Sequence, residues 1–281
     1  MKGIVLRALG LVLLLLAGLQ TSYAASSDMR IIRDVAYGSQ PAQHFDVYLP
    51  AQPKQAPVIF MVHGGGWRIG DKTNPGVVEN KVARWVTQGY VFISTNYRML
   101  PEADPITQAE DVGKAMAVAQ QKAAEWGADP KRFILMGHSA GAHLVSMLVA
   151  SPELVKKSGV QAWLGTVALD SAAFNVEQLM KIPHGKLYDE AFGKDPTYWQ
   201  AASPFNLLKK TTQPLLVVCS IPRGPTSCPL AKLLVEKSRS LGTRTQLLEE
   251  NLSHMDINRE LGKAGAYTDQ VERFMQSLTS K

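Results

Sequence analysis

A serine framed by glycines at the junction of two unlike segments constrains this chain more than any other feature. Gly137-His138-Ser139-Ala140-Gly141 follows the apolar run Arg132–Met136 and leads into Ala140–Ala150, which has helical composition throughout. Between a strand and a helix the chain must reverse within a residue or so, and flanking glycines remove the Cβ atoms that would block so tight a bend. Such a bend pushes the hydroxyl out above a sheet edge, where it is placed to attack. His63-Gly64-Gly65-Gly66-Trp67 holds a comparable position after Pro57–Val62. Its glycines leave backbone N–H groups unshielded, which a developing oxyanion requires of its surroundings.

The rhythm around these motifs is that of an α/β chain. Arg30–Tyr37 and His44–Leu49 alternate apolar and polar residues about Gly38-Ser39-Gln40-Pro41, the pattern of an antiparallel hairpin. Short apolar runs then follow at Pro57–Val62, Tyr90–Asn96, Arg132–Met136, Leu164–Leu169, Pro214–Cys219 and Thr243–Glu249. Helical spacing separates most of them, over Val78–Gln88, Ala109–Glu125, Ala140–Ala150 and Ala231–Leu241. Strand alternating with helix predicts a mostly parallel sheet covered on both faces. Gly127-Ala128-Asp129-Pro130 reads as a turn into the serine strand, and the last strand is followed by a loop with Ser253-His254 and a closing helix near Thr268–Leu278. Ser171–Lys210 departs from the pattern and carries Phe174, Met180, Tyr188, Phe192, Tyr198, Trp199 and Phe205, enough for a small lid or pocket wall.

Lys2 and Arg7 precede the apolar stretch Ala8–Leu19, which ends in Ser22-Tyr23-Ala24. That is the layout of a secretory signal over residues 1–24, cleaved after Ala24, with an uncleaved anchor as the alternative. The remaining residues 25–281 suit a single domain, exported to a periplasm or secreted. No later stretch is apolar enough to span a bilayer. The net charge of +6 includes the cations of that leader, and no Lys/Arg run is present, which argues against a nucleic-acid partner. The two cysteines, Cys219 and Cys228, permit one disulfide in an oxidising compartment, or else serve as buried thiols. A bridge so short would contribute ~2–3 kcal/mol in the chain-entropy picture.

Taken together, the two glycine motifs resemble those of the α/β-hydrolase superfamily, specifically esterases and lipases with an HGGG-type oxyanion loop. The stretch Gly137–His143 is similar to kynurenine formamidases as well. The resemblance implies an eight-stranded, mostly parallel sheet flanked by helices, with a small insertion between the strands ending near Asp170 and starting near Pro214. It implies Ser139 as nucleophile, His254 beyond the last strand as general base, and Gly65, Gly66 and Ala140 N–H groups as the oxyanion hole, without metal or organic cofactor. The bland readings are Ser139 as a helix cap and His254 as a surface histidine. His44, His63, His138, His143 and His184 are less suitably placed, His143 being read as a satisfied helical histidine. Trp67 is either a wall of the substrate pocket or packing beneath the glycine loop.

The family's usual place for the triad acid is the loop Ser220–Ser227, which contains no carboxylate. Asp170, closing the preceding strand, is the preferred candidate; Glu250, Asp256 and an acid-free Ser-His dyad are the alternatives, and Asp170 could instead bond its own backbone. The expected activity is hydrolysis of a neutral or weakly charged small-molecule carboxylic ester. The rivals are an aryl-formamide hydrolase and an impaired pseudo-hydrolase that binds an ester-like ligand. Oligomeric state is not readable from these residues.

Overall fold

The computed structural model describes residues 29–209 and 213–279, so the expected signal, residues 1–24, lies outside the described residues. Eight strands form one sheet: β1 Arg30–Ala36, β2 His44–Leu49, β3 Ala56–Val62, β4 Val91–Thr95, β5 Ala128–His138, β6 Gly165–Leu169, β7 Leu215–Ser220 and β8 Thr245–Glu250. Their spatial order is β1-β2-β4-β3-β5-β6-β7-β8. β2 runs antiparallel to β1 and β4, and the remaining neighbours are parallel. The opening hairpin and the mostly parallel sheet are as the strand-helix alternation predicts, and the eight strands are as the α/β-hydrolase resemblance implies.

The two-residue period of a strand explains why the sheet is buried on both sides. Phe133 and Leu135 of β5 join one apolar core, whereas Ile134 and Met136 join the other. β3 divides in the same way, Val58, Phe60 and Val62 against Ile59 and Met61. Helices Pro105–Lys122, Ala140–Ala150 and Cys228–Ser240 cover the first face, and helices Pro75–Trp85 and Ala266–Thr279 cover the second. Every residue of Ala140–Ala150 is buried, as expected for a helix apolar all round that lies beneath a second layer.

Helix starts lie several residues ahead of the first periodic apolar position. Asn74-Pro75 and Asp104-Pro105 are the reason: each polar residue caps the next turn, accepting from Gly76 N–H and Thr107 N–H, and proline at the first helical position sacrifices no hydrogen bond. The turn expected at Gly127–Pro130 is shorter than its composition suggests. Gly127 alone reverses the chain, at φ 68°, and Ala128 already pairs with Ala56 before an irregularity restores register at Val58 and Phe133. His254 is also not in a loop; it opens the short helix His254–Arg259, whose cap is Ser253.

Parallel order places every connection of interest at one edge. Segments leaving the C-terminal ends of β3, β5, β6, β7 and β8 carry, in turn, the HGGG residues, Ser139, Asp170, the cysteine-flanked loop and His254. A crevice beyond those strand ends is where open α/β sheets bind ligands.

Candidate active site

Ser139 sits at φ 58° and ψ −118°, a conformation L residues adopt at a cost, between the end of β5 and the helix Ala140–Ala150. The sequence accommodates this bend through absences. A Cβ on Gly137 would meet Gly141 O at 2.4 Å, and one on Gly141 would meet Val62 O at 2.3 Å. Ser139 N–H donates to Leu169 O at 2.9 Å, which ties the bend to β6. The side chain makes no capping bond to the helix it precedes, so the helix-cap reading fails.

The hydroxyl is instead engaged by a histidine. Ser139 Oγ lies 2.9 Å from His254 Nε2, and His254 Nδ1 lies 2.6 Å from Asp170 Oδ2. For the hydroxyl to donate to Nε2, the imidazole must carry its proton on Nδ1, the nitrogen facing the carboxylate. Asp170 is fully buried, at φ 51°, with its N–H donating to Val218 O. Its second oxygen accepts from Ser227 Oγ at 2.5 Å and Ser220 N–H at 3.2 Å. Burial pushes this carboxyl up, but the His254 bond, the Arg223 charge and the Ser227 bond together hold it down at about 2. It is ionised throughout the ordinary pH range.

The other carboxylates near His254 in sequence point elsewhere. Asp256 accepts from Ser253 Oγ at the cap of its own helix, and Glu250 accepts from Gln270 Nε2 at 3.4 Å. The remaining histidines are occupied too. Burial and the neighbouring His254 push His138 down to about 3, and its Nε2 donates to His254 O at 2.8 Å. His138 thus anchors the backbone of the segment that bears His254. His63 Nδ1 donates to Gly64 O at 2.7 Å, His44 pairs with Pro41 O, and His184 with Ile182 O.

The HGGG segment flanks the bend. A Cβ on Gly64 would fall 2.8 Å from Ser139 Cβ, and one on Gly65, at φ 126°, would collide with Ile69 O. Gly66 at φ 60° continues the same unusual path. Gly65 O accepts from Arg68 and Ile69 N–H groups, closing the segment into a compact turn. Ala140 begins its helix, so its N–H has no acceptor one turn back and is available to a ligand.

Trp67 is packing rather than a pocket wall. The indole is 2% exposed, donates to His143 Nδ1 at 3.1 Å, and lies edge-on to Tyr188 and Phe192. His143 Nε2 in turn donates to Ala202 O at 2.7 Å, and burial pushes this ring down to about 4, so it stays neutral. One buried histidine therefore locks the glycine loop, the helix after Ser139 and the insertion together. Of the insertion's aromatics, Phe174 and Phe192 are wholly buried and Tyr188 nearly so.

Arg223 and Ser227 are the residues that sequence reasoning missed. Arg223 Nη1 donates to Asp170 Oδ2 at 3.1 Å, and Nη2 reaches Tyr188 Oη at 3.3 Å. Both residues lie in the loop between Cys219 and Cys228, which are joined as a disulfide. The visible signal was that a loop lacking a carboxylate was nonetheless pinned at both ends. Among the described residues the one group with metal-ligand proximity is Cys219, Cys228 and Glu249, and its sulfurs are committed to that bridge.

Ile69, Leu187, Ile221 and Met255 are exposed, and they make up four of the six exposed large apolar side chains among the described residues. All stand on segments that surround Ser139: Ile69 closes the glycine turn, Leu187 Cδ1 lies 3.7 Å from where a Gly66 Cβ would be, Ile221 opens the Arg223 turn and Met255 follows His254.

The BD-FAE family model matches residues 45–220, more than half of the sequence. The chain belongs to the BD-FAE family. The matched BD-FAE region contains the glycine segment, Ser139 and Asp170, and ends just ahead of Arg223. A probable isoprenylcysteine α-carbonyl methylesterase from Oryza sativa subsp. japonica is 28% identical over 64% of this chain and 45% of its own length. Esterase LipQ of Mycobacterium tuberculosis is 28% identical over 60% of this chain and 42% of its own. The chain thus spans less than half of either curated relative. Among solved structures, a truncated carbohydrate esterase from gut microbiota superposes with a TM-score of 0.74 at 17% identity, covering 90% of this chain and 97% of that one. Thermogutta terrifontis esterase 2 phosphonylated by sarin gives 0.71 at 20% identity, covering 91% and 95%. At these identities the likeness shows the α/β-hydrolase fold of this BD-FAE member.

Proposed function

We propose that this chain is an exported serine hydrolase that cleaves carboxylic esters through an acyl-enzyme on Ser139. The observation that carries the proposal is the unbroken line from Ser139 Oγ through His254 to Asp170, with steps of 2.9 Å and 2.6 Å. His254 Nε2 takes the hydroxyl proton as Oγ bonds to the ester carbonyl carbon, and the imidazolium so formed faces the Asp170 carboxylate. The carbonyl π pair moves to oxygen, and Gly65, Gly66 and Ala140 N–H groups supply donors for that oxyanion. Collapse of the tetrahedral adduct expels the alkoxide, which takes the Nε2 proton and leaves as the alcohol. Water, deprotonated by the same nitrogen, then attacks the acyl-serine, and the acid departs as Ser139 regains its proton.

The apolar rim formed by Ile69, Leu187, Ile221 and Met255 favours an ester with a sizeable apolar group on at least one side of the bond. Esterase relatives are consistent with that reading. Export is supported by the leader at residues 1–24 and by a disulfide suited to an oxidising compartment. A buried carboxylate held against His254 supports turnover over the pseudo-hydrolase reading, which rested on the missing acid.

The test is reaction with a fluorophosphonate probe and turnover of short p-nitrophenyl esters. The parent protein is expected to react with both, whereas Ser139→Ala and His254→Ala lose both. Labelling of Ser139→Ala at the parent's rate would place the nucleophile elsewhere and end the proposal.

A further inference from the structure

The Asp170 carboxylate does not serve His254 alone. Oδ2 accepts from His254 Nδ1 at 2.6 Å and from Arg223 Nη1 at 3.1 Å, so two donors converge on one oxygen with only 3.2 Å between their nitrogens. Because the tautomer required by Ser139 puts a proton on Nδ1, the short Nη1 to Nδ1 separation is no hydrogen bond. It is the approach of a permanent cation to the ring that must become cationic during attack. Arg223 is held from both sides: Nη2 meets Tyr188 Oη at 3.3 Å, and its turn is closed by the Cys219–Cys228 bridge.

The other titratable groups around His254 are common to the parent and to any Arg223 variant. Asp170 faces it from the end of β6, Arg223 from the turn after β7, and the neutral His138 ring from the end of β5, at 4.6 Å between ring centres. Lys81, from helix Pro75–Trp85, bonds Asn258 O one turn further on, and the Tyr267 hydroxyl bonds Ile257 O. Asp256 on the base's own helix is turned to Ser253. Tyr188 reaches the site only through Arg223.

We infer that Arg223 is a positioning residue that fixes Asp170 Oδ2 and sets its charge against the build-up of positive charge on His254 during attack. The inference rests on the Ser139–His254 reading above. A like charge this close disfavours the protonated ring, whereas a carboxylate alone would favour it. Loss of the guanidinium charge with retention of a hydrogen-bonding side chain should therefore leave the base protonated up to a higher pH. A purely structural arginine predicts the reverse: Asp170 would drift from His254, so the imidazolium would lose support and the midpoint would fall.

The experiment is the pH dependence of the second-order rate of fluorophosphonate labelling for the parent, Arg223→Gln and Arg223→Lys. The expected result is an acid-limb midpoint raised by about one pH unit in Arg223→Gln, and close to the parent in Arg223→Lys, which keeps the charge. An unchanged or lowered midpoint in Arg223→Gln, or an equal rise in both variants, overturns the inference while leaving the esterase proposal standing. A parent protein that fails to label at any pH removes both. Following the His254 imidazole C–H resonances through the same titration, in a Ser139→Ala background, gives a second measure of the shift that needs no turnover.

Discussion

Ser139 and Asp170 share a property that side-chain chemistry does not require: each occupies positive φ, at 58° and 51°. For a residue with a Cβ this costs on the order of 1–2 kcal/mol. With Trp67 at φ 60°, the site accounts for three of the five non-glycine residues in that region among those described. Such strain persists only where the surroundings over-determine it, and here the Leu169 O and Val218 O acceptors hold the two backbones in place. The reward is a carboxylate whose four closest donors, from His254, Arg223, Ser220 and Ser227, are all delivered by other segments. Asp170→Asn should lower kcat by up to about ten-thousand-fold with little change in KM, because an amide presents an N–H where His254 needs an acceptor. Steady-state kinetics on p-nitrophenyl esters measure this, and a variant with the parent's kcat would show that the carboxylate is ornamental.

At the scale of elements, the turn between β7 and the helix Cys228–Ser240 and the turn after β6 meet at one carboxylate. The turn after β7 supplies the donors Arg223 and Ser227, and the carboxylate they bind, Asp170, stands at the end of β6, beside the strand that leads to Ser139. The Cys219–Cys228 bridge spans nine positions and encloses Arg223, with Ser227 adjacent to the second cysteine. Loop closure of this length contributes about 2–3 kcal/mol in the entropic account. The paired change Cys219→Ser and Cys228→Ser should lower unfolding stability by that amount and reduce kcat as well, since Arg223 and Ser227 then hold Asp170 from an unbraced turn. Urea denaturation read beside ester turnover checks both; loss of stability without any loss of rate would separate the bridge from the site.

For the molecule as a whole, two buried groups set opposite ends of the stability profile. Asp170 is held at about 2 against an ordinary 3.8, so its contribution is complete above pH 4 and is lost as pH falls from 4 towards 2. The loss amounts to about 2 kcal/mol from this group. Lys81 is fully buried, its ammonium reaching only Gly76 O and Asn258 O, and burial pushes it down to about 7 from 10.5. Here the folded state binds the proton more weakly than the unfolded chain, so stability should rise as pH climbs from 7 towards 10. Above pH 10 the buried Tyr97 hydroxyl, pushed upward by desolvation, reverses the trend. Melting temperatures across this range should therefore peak on the alkaline side, and Lys81→Met should flatten the rise between pH 7 and 10. A parent profile that is flat over that interval would contradict the burial argument.

The alternation of strand with helix and the two-sided core were legible in the residues because they follow from periodicity, whereas the spatial order of the strands came only with the structure. Phe133 and Ile134 must part to opposite faces whatever else the chain does, and only glycine fits at 137 and 141 against the backbones of the next helix and β3. Ser139 could be singled out on the local ground of its flanking glycines and His254 through the family resemblance, although the helix at His254 was hidden in a single Ser253 cap. What sits across space from them could not be read so. Asp170 is 84 positions from His254, and Glu250 and Asp256, its neighbours in sequence, are turned away by side-chain bonds of their own. The roles of Arg223 and Ser227, and the choice between the two readings of Trp67, were not decided locally, because each is defined by a partner brought close only in the assembled fold. Sequence period decides which face a residue occupies; which groups then share a proton depends on distances that exist only once the sheet is assembled.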